Sequence, residues 1–530
     1  MSSRKLLAAL AALTLCASGA LAGEKILTYN LGVEPRTIDP VLNNAVDGST
    51  VDYNVFEGLV RPDENGVIAP GCAEKWDVSE DGLTWTFHLR DGLKWSDGSP
   101  LTATDFKFGF LRILIPENAA PYGYLAYMIK NGKEFFEGKC KAEDVGIEAP
   151  DDKTLVLHMA EKSPLVLQYL SFNPFVPAKR ELVEANPRGW TIASMPMLSN
   201  GPFYVAEWKH NSEMLLKKNP NYWDAANVKL DGVRLLMIVD SNTALAAFKA
   251  KNVDVNDHLP PLMVAQLIKS GEAKVLPTLG TAFTVFNVTK KPFDDPRVRK
   301  AFSLAIDRKA IVEKVTQGGQ HPANGFIPEK IPGAVVGGPD FRSEDSNVYL
   351  TPNADVETAK KLLAEAGYPD GKGFPSVSYT YNGNPGNKAI AEVLQAMWKK
   401  NLGVDVELVQ QEWKVFIDTR NQKNYQIARH AWIADFNDAQ GMLALWTSDN
   451  FENCTGWKNA EYDKLINAAV TMTDMAKRAE DMHKAEKILM DEMPVMPIYY
   501  YATPYLMQPN VKGVYQSPFL WLLFRDADIE

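Results

Sequence analysis

Residues 428–438 read ARHAWIADFND, and they place Arg429 and Asp435 six positions apart in an otherwise mostly apolar run. On an extended strand Arg429, Ala431, Ile433 and Asp435 share one face. Six steps of ~3.3 Å separate the two Cα atoms by roughly 20 Å, too far for a direct ion pair on a straight strand. Side chains leaning towards each other leave a gap of order 10 Å. That is about the distance between the ammonium and the carboxylate of an extended peptide of three or four residues. A carboxylate such as Asp435 suits an ammonium, and the planar fork of Arg429 suits a carboxylate. Two readings stand open on spacing alone. Each charge pairs with a neighbour in the fold, or the two together bracket a ligand.

Signatures of catalysis are scarce elsewhere. The chain has no GxSxG elbow, no HExxH and no phosphate-binding loop. Its seven histidines, at 88, 158, 210, 258, 321, 430 and 483, show no ligand-like pairing, and His88 and His158 read as satisfied strand residues. Acidic pairs such as Asp294–Asp295 read as turn or helix-start residues. Aromatic residues say more. Tyr499, Tyr500 and Tyr501 are consecutive, so on a strand they cannot all face one side and at least one hydroxyl points away from the others.

The elements that must carry these residues follow from periodicity. Residues 25–33 read as a strand, 51–60 as a helix with one apolar face, and 83–90 as an alternating strand between DG turns. A Thr-Ala-Thr-Asp start opens a helix at 102, and 154–160, 201–208 and 231–240 are further strands. From 282 a strand is followed by a long helix over 295–315, with Pro296 in its first turn. Next come a helix over 357–368, a strand (376–383), a helix (389–403) and a strand (404–412). Residues 425–435 are extended, and 461–494 form one or two helices. Such alternation predicts an α/β lobe with a mixed sheet behind a more strand-rich first half.

Bulk properties set the class. A chain of 530 residues exceeds one hydrophobic core, so two or three domains are expected. The net charge of −10 becomes −12 without Arg4 and Lys5, the only charges of the first 22 residues, which argues against nucleic-acid or anionic-membrane partners. Residues 1–22 have a basic start, an apolar run too short to span a bilayer, and a small-x-small end at Ala20-Leu21-Ala22. They predict a signal peptide cleaved after Ala22 and an exported protein with no membrane anchor; Leu15 before Cys16 argues against lipidation. The remaining Cys72, Cys140 and Cys454 have no zinc-type spacing, and their pairing is open, with buried free thiols favoured.

Residues 56–59 (FEGL), 70–106, 200–208 (NGPFYVAEW), 219–224 (NPNYWD), 291–308 and 359–368, together with 398–420, 429–439 and PIYYY at 497–501, give the chain a clear resemblance. It resembles the periplasmic oligopeptide-binding proteins of ABC importers, within the wider peptide- and nickel-binding family of solute receptors. The resemblance implies an α/β clamshell of the periplasmic-binding-protein type: two mixed-sheet lobes, an extra inserted domain and a ligand cleft between the lobes. It implies domain I from 23–60, 181–279 and 503–530, domain II from 61–180 and domain III from 280–502. It implies a monomeric receptor, not an enzyme and without cofactor or metal, that binds peptides of about two to five residues with little side-chain selectivity and delivers them to an inner-membrane ABC permease. Alternatives are a receptor for murein peptides or another small amine-bearing solute, an exported hydrolase, and a holdase.

Carried over by position, Asp435 matches the aspartate that holds the peptide ammonium. Arg429 and Arg420 match arginines that meet the carboxylates of shorter and longer peptides. Trp413 and Trp432 match pocket walls, Tyr501 and Tyr122 cleft tyrosines, and Asn382 another cleft residue. Gly48, Ser49 and Thr50 match an extended segment whose backbone pairs with the ligand. Asn387 stands where a well-known member has histidine, and Ile433 where it has cysteine. These two departures bear on peptide length and on one pocket wall.

Overall fold

The computed structural model describes residues 24–63, 67–192, 195–335, 338–344, 347–434 and 436–530. The expected signal peptide with its cut after Ala22, Cys16 and Asp435 lie outside the described residues. Among the described residues no helix is long and apolar enough to cross a membrane.

An eleven-stranded sheet forms the backbone of the molecule. Its strands run in the order Val406–Gln411, Val377–Asn382, Ile427–Ile433, Lys274–Phe286, Val495–Met507, Val255–Asn256, Ile26–Asn30, Gly232–Leu236, Glu213–Lys218 and Phe203–Lys209, with His321–Pro322 added beside Val495–Met507. Each half contains a parallel trio. Val377–Asn382 lies between Val406–Gln411 and Ile427–Ile433, and Ile26–Asn30 lies between Gly232–Leu236 and Val255–Asn256. Two antiparallel strands of 13 residues each, Lys274–Phe286 and Val495–Met507, join the halves. Their register shifts where Pro277 opposes Ala502 and Thr281 opposes Tyr500, so the ladder is locally interrupted there.

A separate four-stranded sheet, in the order Ala73–Val78, Thr84–Leu89, Thr154–His158 and Ile147–Asp151, arises from the 61–180 segment. The helix Ala103–Leu114 buries Phe106, Phe110 and Ile113, and Asp105 closes its first turn by accepting the Thr102 N–H at 3.0 Å. His88 and His158 sit on this sheet paired with Asp77 and Glu148. The three cysteines are free, with Cys72 and Cys454 buried.

In the other half, apolar clusters cover both faces of the sheet because its side chains alternate. Phe283 and Val285 enter one cluster; Ala282 and Phe286 enter the other. The helix Pro385–Leu402 starts with Pro385 after the Asn384 cap and stops at Gly403, which adopts φ 73°. Its buried residues Ala391, Leu394, Trp398 and Leu402 follow helical spacing. The Trp398 indole N–H donates to the Phe302 carbonyl at 3.0 Å, and its ring lies against Phe302 and Tyr379. On the opposite face His430 stacks on Phe283 at 4.7 Å and meets the Trp446 edge. Burial, then the charges of Arg420 and Arg429, push its pKa well down, so it is neutral.

One expected helix is divided, and the choice between one helix and two is decided in another region. The helix expected over 295–315 is divided into Pro296–Leu304 and Arg308–Ile311, followed by a wide turn at Val312–Thr316. Asp307 divides it by turning its carboxylate onto the Ala310 N–H at 2.8 Å. The 461–494 region forms two helices, Ala460–Thr471 and Met475–Glu492, the second capped by Asp474.

Trp398→Ala removes a fully buried ring and strands the Phe302 carbonyl, so it should cost about 3–5 kcal/mol. Urea titration with an unchanged slope and a lowered midpoint would agree; a loss below about 1 kcal/mol would not. His430 is neutral when folded, whereas the unfolded residue binds a proton below about pH 6.5. Its contribution is therefore intact above that pH and is lost as pH falls. Between pH 7 and 5 the wild type should lose about 2 kcal/mol more than His430→Phe. Equal losses in parallel titrations would contradict this.

Candidate functional site

The carboxyl ends of the parallel trio in the 280–502 region gather the residues singled out in the sequence. Val377–Asn382 ends on Asn382, Val406–Gln411 is followed by Glu412 and Trp413, and Ile427–Ile433 ends on Ile433. From the central strand the chain leaves through Pro385–Leu402 on one face, then through Trp413–Asn421 on the other. In open α/β sheets the crevice outside such strand ends is where ligands bind.

Arg429, Ala431 and Ile433 share the more open face of their strand, while Ala428 and His430 are buried. Arg429 donates to the Tyr501 hydroxyl at 3.3 Å, and its charge also acts on Tyr379, whose pKa burial pushes up to about 12. A side chain at Gly280 would meet the Trp432 carbonyl oxygen and Ile433 Cγ1 at 2.9 Å and Tyr501 at 3.1 Å. Glycine at this position of the long strand Lys274–Phe286 therefore lets Ile433 and Tyr501 converge beside Arg429. Tyr500 points the other way, its hydroxyl on Asn324 and Gly325, as three consecutive strand residues require.

Arg420, on Trp413–Asn421, is 8% exposed and lies over the Phe416 ring at 5.9 Å. Arg420 and Arg429 both act on His430. Neither has a carboxylate partner among the described residues. Cations drawn out of water without a counter-charge suit an incoming anion. Asn382 and Asn387 are brought together, the Asn387 amide donating to the Asn382 side chain at 3.0 Å. Trp413 stands 51% exposed above this end. Trp432 faces away from Arg429 and packs on the buried cluster, and its indole N–H has no partner among the described residues.

Tyr122 lies apart from these residues, in an aromatic cluster that the sequence reading missed. Its ring meets Phe172 edge-on, Phe172 meets Phe519, Phe519 stacks with Trp521, and Trp521 stacks on Tyr53 at 4.0 Å. Tyr169, next to Phe172, meets Phe436 at 5.3 Å. A small cavity of about 30 Å³ among these rings is also lined by Gln168 and Asn437. The cluster joins segments hundreds of positions apart, which local periodicity cannot register. The only signal for it was the high aromatic content.

The placement of Gly48, Ser49 and Thr50 on an extended, ligand-pairing segment is corrected. They lie in the helix Val46–Val55, where the Ser49 N–H is spent on the Ala45 carbonyl. Gly48 fits because a side chain there would lie 2.5 Å from Asn43 Oδ1 and 2.7 Å from the Thr37 carbonyl. Ser49 Oγ accepts from Asn43, and Thr50 Oγ1 accepts from the Leu522 N–H, so all three seat the helix. The extended residue is Ala45, just before it. Among the described residues no cluster of three or more His, Cys, Asp or Glu is arranged to hold a metal ion.

Comparison with known proteins agrees with this geometry. Residues 67–453 match the family described as bacterial extracellular solute-binding proteins, family 5. The chain is 38% identical over 515 residues to the oligopeptide-binding protein OppA of Bacillus subtilis, covering 95% of this chain and 93% of that protein. It superposes with a TM-score of 0.84 on the unliganded open form of the periplasmic murein tripeptide binding protein MppA, at 33% identity and over 96% of this chain and 98% of that one. On Haemophilus influenzae OppA in complex with the peptide RPPGFSPFR the TM-score is 0.69, at 34% identity and over 96% and 99% of the two chains. By these matches, the chain belongs to the family 5 bacterial extracellular solute-binding proteins.

Proposed function

We propose that this chain is a periplasmic receptor that captures short peptides and delivers them to an inner-membrane ABC permease. The observation that carries this reading is the pair of arginines, Arg429 and Arg420, with no carboxylate partner among the described residues, in a solute-binding fold. In this reading Asp435 takes the peptide ammonium, and Arg429 and Arg420 take the carboxylate at two lengths. Asn382, Asn387, Trp413, Ile433, Tyr501 and Tyr122 line the path, and Trp432 backs it. The peptide lies extended, bonded through its main chain, so few side chains are selected. Water in the side-chain pockets tolerates the rest.

The protein acts by binding and release, without turnover, as a monomer exported by the segment cleaved after Ala22. Domain I comprises 23–60, 181–279 and 503–530, domain II 61–180 and domain III 280–502. Closure bends the two long strands near the Pro277–Thr281 register shift. The better superposition on an unliganded open relative than on a peptide complex, at nearly equal identity, supports reading the present arrangement as the open state. Ligand then shifts the population towards the closed state by touching both lobes.

A second reading, a receptor dedicated to murein peptides, draws support from the similarity to MppA. Mass spectrometry of ligands co-purified from the native host separates the two. A mixed peptide population favours the general receptor, and a single wall-derived peptide favours the dedicated one.

Asp435→Ala should weaken binding of a free tripeptide by about 2–5 kcal/mol, since an ammonium is left without its counter-charge. Calorimetry checks this, together with an N-acetylated tripeptide, which should bind the wild type as weakly as the free peptide binds the variant. Equal wild-type affinity for the free and acetylated peptides would overturn the ammonium role. Cleavage of the tripeptide by the purified protein would overturn the receptor reading.

A further inference from the structure

The parallel trio centred on Ile26–Asn30 has a crevice of its own beyond its strand ends. After Asn30 the chain runs on through residues 34–42. Glu213 pairs with Leu236 at the carboxyl end of the neighbouring strand, so the turn between Phe203–Lys209 and Glu213–Lys218 reaches the same edge of the sheet. Residues 188–192 supply a third side. A cavity of about 520 Å³ lies among these three segments, and none of the residues assigned to the peptide site lines it.

The lining has the chemistry of an anion site. Arg36 and Arg188 both border the cavity, and both are exposed. Arg188 donates from Nη2 to the Glu117 carbonyl at 3.0 Å, and neither guanidinium meets a carboxylate among the described residues. Glu34, the carboxylate among the lining residues, is already spent. Its Oε2 accepts the Asn211 N–H at 2.8 Å, and its Oε1 pairs with His210 Nδ1. Two positive charges therefore border one cavity in a chain whose net charge is −10. Their planar forks suit a carboxylate or a phosphate.

Trp208 lines the same cavity, its ring tilted against His210 at 5.0 Å. Its indole N–H has no partner among the described residues. Ile38 and Leu42 add apolar wall. A bare inorganic anion would leave this ring and wall uncovered, whereas an anion carried on a ring would cover them. Arginines on a flat surface are simply solvated, but a concave wall with an aromatic ring and a few polar groups is where small ligands bind.

We propose that this cavity is a second binding site, for a small molecule that carries a carboxylate or phosphate on a ring. Arg36 and Arg188 take the anionic group, and Trp208 packs on the ring. The site does not depend on the reading of the peptide cleft given above.

The test is titration calorimetry with phenyl phosphate, benzoate, phenol and inorganic phosphate, at about 0.15 M salt so that unspecific attraction is screened. It is run on the wild type, on Arg36→Gln and on Arg188→Gln. Both side chains are exposed, so the variants should fold with unchanged urea midpoints. Phenyl phosphate or benzoate should bind the wild type at least about tenfold tighter than phenol, and each substitution should weaken that binding about tenfold or more. The tighter of the two identifies the anionic group. Phenyl phosphate should also exceed inorganic phosphate, because only it covers Trp208. The proposal is overturned if neither ring anion binds saturably at millimolar concentration, if binding is unchanged in both variants, or if inorganic phosphate binds as tightly as either ring anion. Displacement by a free tripeptide would put the anion in the peptide cleft and overturn the second site.

Discussion

A charge drawn out of water must be paired, and the candidate site holds two arginines for which the described residues supply no carboxylate. Arg420 is nearly buried, and Arg429 has only a tyrosine hydroxyl among the described residues. A carboxylate from the fold would have satisfied either at modest cost. The described residues supply none, and burial, with the charges of Arg420 and Arg429, keeps His430 neutral. Packing, capping and the course of the loops around the site can all be understood as holding these cations where an anion can reach them.

The fold meets this demand through topology. Three parallel strands end together, and helices leave on opposite faces, which opens a crevice at the strand ends. The helix Pro385–Leu402 packs through Trp398 on one side, and Trp413–Asn421 through Phe416 on the other. The two long antiparallel strands join this half to the other, and their register breaks near Pro277, where the proposed closure would bend them.

Much of this was legible in the sequence, and the limits have physical causes. The face shared by Arg429, Ala431 and Ile433 follows from a period of two, and the structure has it. The divergence of Tyr500 from Tyr501 follows from the same rule. Gly48, Ser49 and Thr50 were misplaced because a motif match fixes which residues correspond but not where a helix begins. Here the first turn starts at Val46, and the extended backbone ends one residue earlier. The break at Asp307 is a capping choice that apolar periodicity cannot see. The ring cluster from Tyr122 to Tyr53 joins distant segments, and no local pattern encodes it.

The most direct measurement is a crystal structure of the protein with a bound tripeptide. The account predicts an extended peptide along the strand ends, its ammonium within hydrogen-bond distance of Asp435 and its carboxylate on Arg429 or Arg420. A peptide held in the opposite direction, or bound with both arginines untouched, would contradict it.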